Sequence, residues 1–199
     1  SKIALEMQPQ TLWQMYNDLG FGTPPQTGFP GATGGRLRPA KSWRPIEQAT
    51  ISYGHGISVS LMQLVRAYTA LARNGDVIDL TFRRTSKEAV GKQIFRPEVA
   101  RQMRAMMAET VQAGTARRVK VQGYTVAGKT GTANKIENGQ YVDKYVASFV
   151  GMAPAGQPRL IVAVMIDEPT RGSYYGGAVA GPVFAKIMEE ILPYLNVET

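Results

Sequence analysis

A cation, two hydroxyls and a glycine stand together in the segment Lys129-Thr130-Gly131-Thr132, and these groups could bind an anion. The lysine supplies a fixed positive charge, and the threonines supply hydroxyl donors. Glycine is unfavourable inside a strand, so its presence indicates that another backbone approaches closely. At a sheet edge, such a segment would bind an extended peptide that ends in a carboxylate, by strand addition and charge-assisted hydrogen bonds.

The alternation of side chains along a strand restricts the geometry of this segment. Lys129 and Gly131 point to one face, and Thr130 and Thr132 point to the other. Twist or an edge position must therefore bring the cation and the hydroxyls to one ligand. A Lys-Thr-Gly triplet alone is short, and its weight depends on the sequence around it.

Other kinds of catalytic site have little support. The 199 residues contain no cysteine and one histidine, which excludes thiol nucleophiles and makes a metal site improbable, and we expect no cofactor. His55 would have to serve any Ser-His-Asp triad, but it lies between two glycines and is interpreted as a loop residue. The pair Asp167-Glu168 is interpreted as solvent-facing rather than as an acid–base pair.

The formal charge of +8 indicates attraction to anionic partners. The sequence has two tight clusters of basic residues, at Arg83-Arg84 and at residues 117–120. No aromatic residues interleave with them as a nucleic-acid surface would require. A solvated basic surface is the simpler interpretation, and we expect no nucleic-acid partner. The sequence has no apolar run of membrane-spanning length and no signal-peptide pattern.

The final third of the sequence predicts a three-stranded antiparallel meander followed by a helix. The strands are expected at residues 124–133, 144–153 and 159–167, with turns at residues 137–140 and 154–158. Pro182 is placed at the start of the helix, whose apolar side is broad enough to be buried across the meander. That side comprises Val183, Phe184, Ile187, Met188, Ile191, Leu192 and Leu195.

The first 123 residues are predicted to be mostly helical and irregular. Helices are expected from Pro9 to residue 19, after the capping box of Ser60 and Gln63, and from Pro97 onward. The methionines of the third helix are interpreted as core, and residues 77–82 could form a strand. The tract 21–43 is interpreted as a functional loop or a covering segment. The predicted fold class is therefore α/β of the α+β type, with an antiparallel sheet flanked by helices.

Several motifs carry a resemblance to a known family. Lys129-Thr130-Gly131 resembles the third of the motifs S-x-x-K, S-x-N and K-T-G of serine penicillin-binding proteins and β-lactamases. Residues 28–31, 43–50, 52–64 and 174–184 resemble segments of class B, division-specific penicillin-binding proteins and follow one another in family order. Residues 1–199 are thus identified as the C-terminal portion of a single transpeptidase domain, with 1–123 mostly helical and loop and 124–199 the meander and C-terminal helix.

The other two family motifs are absent. No serine is followed by lysine three residues later or by asparagine two residues later. The segment Tyr194-Leu195-Asn196 imitates a Y-x-N variant, but in the family both missing motifs precede K-T-G. We therefore expect the nucleophilic serine and its general-base lysine upstream or in another fragment, and a chain without them would be catalytically dead.

The resemblance implies a role for each matching residue. Lys129 would supply positive potential and assist proton handling, and Thr130 and Thr132 would bind the substrate carboxylate. The Thr132 N–H would form one arm of the oxyanion hole, and Gly131 would leave room for the acyl chain. Four further positions would line the substrate cleft, although each tyrosine could instead be an ordinary strand or loop aromatic: Tyr145, Tyr174, Tyr175 and Gly177.

The function that the resemblance implies is a peptidoglycan D,D-transpeptidase of cell division and a β-lactam target. The serine would attack the D-Ala–D-Ala carbonyl of a stem peptide, and an amine of a neighbouring stem peptide would resolve the acyl-enzyme. The implied partners are stem peptides, a β-lactam adduct on the upstream serine, the upstream half of the protein, and divisome membrane proteins such as a lipid II glycosyltransferase. The implied location is the periplasm, with an N-terminal anchor in the inner membrane.

Two alternatives remain open. A β-lactamase or D,D-carboxypeptidase would use the same site with water as acceptor, although Tyr174-Tyr175-Gly176-Gly177 argues against it. A non-catalytic β-lactam sensor or scaffold module would keep the fold for partner binding.

Overall fold

The computed structural model describes all 199 residues and contains six α-helices and five strands. Antiparallel sheets flanked by helices confirm the predicted fold class. None of the helices combines the length and the apolar character needed to cross a membrane. The elements are α1 (Lys2–Glu6), α2 (Pro9–Asp18), a 3-10 turn (Ala40–Ser42), α3 (Pro45–Ile51), α4 (Leu61–Ala72), β1 (Asp76–Val77), β2 (Lys92–Gln93), α5 (Pro97–Gln112), β3 (Ala127–Glu137), β4 (Gln140–Ala153), β5 (Leu160–Asp167) and α6 (Gly176–Tyr194).

The chain divides into two compact units. The first unit comprises Ser1–Ala70 and Gly75–Phe95, and the second comprises Leu71–Asn74 and Arg96–Thr199. Each unit buries its own apolar side chains and is described separately.

In the first unit, a buried glutamine holds the long irregular tract in place. The Ser60 N–H donates to Gln63 Oε1 at 2.9 Å and the Gln63 N–H donates to Ser60 Oγ at 3.2 Å, which confirms the predicted capping box of α4. The fully buried Gln63 Nε2 also donates to the carbonyls of Gly20, Thr23 and Gly34 at 2.9, 3.1 and 2.8 Å. The tract is therefore fixed to the helix as a covering segment.

The strand predicted over residues 77–82 is mostly wrong. Only Asp76–Val77 pairs with another strand, Lys92–Gln93, and residues 78–91 form a loop. Phe82 is 66% exposed, because the apolar run has no sheet beside it to cover it. A run of β-forming residues becomes a strand only where a partner supplies the ladder.

The second unit contains the predicted meander, in the order β3-β4-β5, with β3 at an edge. Asn138 and Gly139 have φ of 52° and 78°, as a two-residue hairpin turn requires, so the predicted turn is confirmed. Because the turn is tight, β3 continues to Glu137 and β4 begins at Gln140, whereas the sequence predicted these strand ends at residues 133 and 144. Thr130 pairs with Phe149, and Gly131 pairs with Ser148.

The last helix, α6, packs on β4 and β5. The Phe184 ring meets the Phe149 ring edge to face at 4.7 Å, and both residues are fully buried. The predicted start at Pro182 is wrong, since α6 begins at Gly176, where two glycines pack against the sheet. The buried stripe is also narrower than predicted, because three of its expected members are 37–46% exposed: Val183, Ile191 and Leu195.

The methionine stripe of α5 is only partly core. Met107 is buried, but Met103 and Met106 are 37% and 55% exposed. The buried face follows Ala100, Arg104, Met107 and Val111, so it includes an arginine and only one of the three methionines. Its guanidinium donates to the Leu71 carbonyl at 2.7 Å, and burial lowers the pKa of Arg104.

Candidate functional site

A cleft of about 930 Å³ lies beside the edge strand β3 in the second unit. Four of the eight predicted site residues line it: Thr130, Thr132, Tyr175 and Gly177. The other lining residues come from the segment before β3 and from the start of α6: Ala113, Gly114, Thr115, Arg117, Arg118, Ser173, Gly176 and Ala178.

The Thr132 hydroxyl is held by the first turn of α6. The Gly176 N–H donates to Thr132 Oγ1 at 3.0 Å. A hydroxyl that accepts one hydrogen bond still has its own proton to donate. Thr132 is exposed, so this proton is available to an anion in the cleft.

The Thr130 hydroxyl is paired with that of Thr115, with 3.1 Å between the two Oγ1 atoms. Either hydroxyl can be the donor, and the one that accepts keeps a proton for a ligand. This contact ties the segment before β3 to the strand itself.

Two glycines let α6 approach the strand closely. A Cβ on Gly176 would lie 2.2 Å from the Ser148 carbonyl oxygen and 2.3 Å from that of Gly131. A Cβ on Gly177 would lie 2.7 Å from the Thr115 carbonyl oxygen. All three distances are far below van der Waals contact, so glycine is required at both positions for this packing.

The Lys129 ammonium reaches the neighbouring threonine, Thr130, although Lys129 itself is not among the residues that line the cleft. Lys129 Nζ donates to the Thr130 carbonyl at 2.9 Å and lies 3.5 Å from Thr130 Oγ1. Lys129 is exposed, and its ammonium forms no ion pair. Gly131 faces Ser148, whose Oγ lies 2.4 Å from the place of a Cβ. The expected role of Gly131 as room for an acyl chain stays a prediction.

The three predicted tyrosines form one row of rings. The centroids of Tyr145 and Tyr174 are 4.0 Å apart, and those of Tyr174 and Tyr175 are 4.6 Å apart. The hydrogen bond from the Tyr174 hydroxyl to Tyr175 raises the pKa of Tyr174 to about 12. Of the three, only Tyr175 lines the cleft, and Tyr174 and Tyr145 follow it in the row.

A lysine fixes the start of the loop that leads to these rings. Lys135 Nζ lies 3.0 Å from Asp167 Oδ1 and 2.7 Å from Glu168 Oε1. The Glu168 N–H donates to the Tyr145 carbonyl at 2.9 Å. The two carboxylates stay partly exposed, as expected, but they also form ion pairs with Lys135, which no local pattern in the sequence indicates.

Sequence reasoning missed three residues of the cleft, namely Thr115, Arg117 and Arg118. In the sequence, the two arginines stand out only as part of the basic cluster of residues 117–120. Sequence carries no periodic signal for them, because they lie on an irregular segment whose position depends on the Thr115–Thr130 contact. Their charges add to that of Lys129 and favour an anionic ligand.

No group of three or more His, Cys, Asp or Glu side chains is placed to hold a metal ion. His55 is exposed in the loop before α4, in the first unit, as its flanking glycines predicted.

Comparison with known proteins identifies the family. The penicillin binding protein transpeptidase domain matches residues 1–189. The chain is 47% identical over 199 residues to the probable peptidoglycan D,D-transpeptidase PenA of Neisseria gonorrhoeae, covering 99% of this chain and 34% of that protein. It is 36% identical over 200 residues to the peptidoglycan D,D-transpeptidase FtsI of Escherichia coli (strain K12), covering 100% of this chain and 34% of that protein.

A solved structure agrees with the same family. The apo TP domain of Burkholderia pseudomallei penicillin-binding protein 3 superposes with a TM-score of 0.94 at 50% identity, over 99% of this chain and 61% of that one. The chain spans about a third of the length of these two curated relatives. With its fold, its K-T-G strand and its relatives in agreement, the chain belongs to the penicillin-binding protein transpeptidase domain family, among the class B penicillin-binding proteins.

Proposed function

We propose that this chain supplies the substrate-binding part of a peptidoglycan D,D-transpeptidase. The observation that carries the proposal is the placement of the Thr130 and Thr132 hydroxyls and the Lys129 ammonium at the free edge of β3. A free edge accepts an extended peptide, and the hydroxyls and cation suit a terminal carboxylate. A stem peptide that ends in D-Ala–D-Ala has both properties.

Each predicted residue has a proposed part in binding. Thr132 donates its remaining proton to the substrate carboxylate, and Thr130 does the same when it is the acceptor of its pair with Thr115. Lys129, Arg117 and Arg118 supply positive potential around the carboxylate. The Thr132 N–H forms one arm of the oxyanion hole. The remaining site residues shape the walls, with Gly131 leaving room for the acyl chain and a rim made of Tyr145, Tyr174, Tyr175 and Gly177.

The proposed chemistry is acyl transfer through a serine outside these 199 residues. That serine belongs to an S-x-x-K motif, and the 199 residues form the C-terminal portion of the same transpeptidase domain. The serine Oγ attacks the carbonyl of the penultimate D-Ala, and the terminal D-Ala leaves as the free amine. An amine of a second stem peptide then displaces the serine. A β-lactam enters as a donor mimic and stops at the acyl stage.

The finer biological setting is also proposed. The resemblance of residues 174–184 to division-specific members supports a role in cross-linking at the division septum. The relatives PenA and FtsI are named peptidoglycan D,D-transpeptidases, and a relative of 36% identity is named stage V sporulation protein D of Bacillus subtilis. A periplasmic position, an inner-membrane anchor and a partner lipid II glycosyltransferase follow from the same proposed role.

The test is labelling by a fluorescent penicillin of the intact protein that contains this chain. Lys129→Ala should slow acylation by about tenfold or more, because a charged hydrogen-bond donor to the carboxylate is lost. Lys186→Ala removes an exposed cation of α6 as the matched control and should label normally. Near-normal labelling of Lys129→Ala would contradict the proposed site.

Two substitutions separate the effect of the Thr132 hydroxyl from the effect of its side-chain volume. Thr132→Ser keeps the hydroxyl and should retain most labelling, whereas Thr132→Val keeps the volume and should lose it. Rapid release of hydrolysed penicillin would favour the β-lactamase or carboxypeptidase alternative. Labelling without cross-linking of a stem-peptide substrate would favour the sensor alternative.

A further inference from the structure

A second cavity, of about 560 Å³, lies in the same unit next to α6. Its apolar lining includes four valines that are at most 8% exposed and belong to the hydrophobic core: Val111, Val119, Val121 and Val126. The floor of the cavity is thus formed by core side chains of the unit. Cavities of this size hold small organic ligands in other proteins.

The rim of this cavity carries unpaired positive charge. Arg117 and Lys120 line it, both side chains are exposed, and neither forms an ion pair. The one acidic residue of the lining, Glu189, accepts a hydrogen bond from the Gln122 N–H at 3.3 Å, so part of its charge is already satisfied. An apolar floor under two free cations is complementary to a ligand with an apolar body and an anionic head.

We propose that this cavity is a second binding site, and that its ligand is a small amphiphilic anion such as a medium-chain carboxylate. The apolar chain lies on the valines, and the carboxylate meets Lys120 and Arg117. This ligand class differs from the extended, polar peptide that suits the edge of β3. Binding at this cavity does not depend on the proposed function of the cleft.

Arg117 connects the two sites, because it lines both the cavity and the cleft. An anion in the cavity recruits this guanidinium and withdraws its charge from the cleft. The same segment also reaches β3 through the Thr115–Thr130 hydroxyl contact. An occupied cavity therefore weakens the binding of carboxylate ligands in the cleft, and this coupling rests on the proposed function.

The binding test uses the 199-residue chain and decanoate below its micelle-forming concentration, followed by backbone amide NMR. Saturable shifts should centre on residues 119–126 and on Glu189. Decyltrimethylammonium, with the same chain and opposite charge, should shift these amides at least tenfold more weakly. Equal binding of the cation, shifts centred elsewhere, or no saturable shift would overturn the proposal.

Two variants sharpen this result. Lys120→Glu should weaken decanoate binding about tenfold or more, whereas Lys87→Glu, an exposed lysine of the other unit, should leave it unchanged. Gln122→Trp places a large ring in the cavity and should abolish binding. If either cavity variant fails to fold, the comparison of decanoate with decyltrimethylammonium on the unaltered chain still tests the proposed site.

The coupling is tested on the intact protein by the rate of penicillin labelling. Decanoate should slow labelling of the unaltered protein and have no effect on Gln122→Trp. Saturable decanoate binding with an unchanged labelling rate would overturn the coupling. A protein that does not label even without decanoate would instead contradict the proposed function, so the two failures are distinguishable.

Discussion

Single residues of the cleft are prepared for an anion before any ligand arrives. The Thr132 hydroxyl accepts from Gly176, and the Thr130 hydroxyl is paired with Thr115. Each side chain is therefore held in one rotamer, which lowers the entropy lost on binding. An anion that enters the cleft therefore meets hydroxyl groups that are already fixed in place.

Substitution of Gly176 tests the close approach of α6 to the sheet. Gly176→Ala should lower the free energy of unfolding of the second unit by about 1–3 kcal/mol, because the new methyl group overlaps two carbonyl oxygens. Urea titration followed by circular dichroism measures the change.

Gly156→Ala is the matched control for this substitution. A Cβ at Gly156 has no heavy atom within 4 Å, and the φ of this residue lies outside the left-handed region. Its free energy of unfolding should change by less than about 0.5 kcal/mol. Equal effects of the two substitutions would show that the close approach of α6 is not what makes Gly176 necessary.

Among the helices, α3 has the most strongly perturbed carboxylate at its start. Glu47 Oε2 accepts from the Arg44 N–H at 2.8 Å, and the Arg38 guanidinium contacts the other oxygen. The backbone hydrogen bond, followed by the contact with Arg38, lowers the pKa of Glu47 to about 2. The folded unit therefore favours the ionised side chain.

This shift predicts a pH dependence. Because the pKa is lower in the folded state, ionised Glu47 stabilises the first unit above its ordinary pKa of 4.5, and this contribution is lost as the pH falls towards about 2. Glu47→Gln should reduce stability at neutral pH and flatten the dependence on pH in that window. Urea unfolding at stepped pH, followed by tryptophan fluorescence, measures it. Glu88 is an exposed glutamate without an ion pair, so Glu88→Gln should show the same dependence of stability on pH as the unaltered protein. If the pH profile of Glu47→Gln ran parallel to that of the unaltered protein, this account would be refuted.

Elements with local signals could be predicted from the sequence. The capping box of Ser60 and Gln63, the Pro97 helix start and the Asn138-Gly139 turn each depend on a few neighbouring residues, and all three are confirmed. The early start of α6 could not be predicted, because its glycines normally indicate a loop and are used here for tertiary contact.

The same distinction applies to the candidate site. The K-T-G strand and the tyrosine-glycine segment were predicted because they are contiguous motifs. Thr115, Arg117 and Arg118 were missed because only the folded chain brings their irregular segment to β3. Met106 was misplaced for a related reason, since the carbonyl acceptor at Leu71 lets Arg104 take the inner face of α5.

At the scale of the whole molecule, two units carry separate apolar clusters. Ile51, 1% exposed, packs with Trp43 in the first unit, and Leu192, fully buried, packs with Phe184 in the second. Both tryptophans of the chain, Trp13 and Trp43, lie in the first unit. Tryptophan fluorescence therefore reports on that unit alone.

Truncation of the two cores should produce separable effects. Ile51→Ala should speed amide hydrogen exchange mainly in α1–α3, whose side chains share its cluster, and Leu192→Ala mainly in α6 and β3–β5, each with a loss of about 2–5 kcal/mol. Mass spectrometry of peptic fragments measures the pattern. Val90→Ala and Tyr194→Ala, at side chains that are 93% and 81% exposed, serve as controls and should leave exchange unchanged. Uniform acceleration across both units by either core substitution would refute their independence.

The loop between Glu168 and Tyr174 is held at both ends by one residue, because Tyr145 accepts the Glu168 N–H and stacks on the Tyr174 ring. A loop with both ends anchored at one point can change length at little cost, about 0.6 kcal/mol for each doubling. Residues 169–173 are therefore a place where insertions and deletions can accumulate during evolution. The rim of the cleft can diversify there while the K-T-G strand keeps its shape.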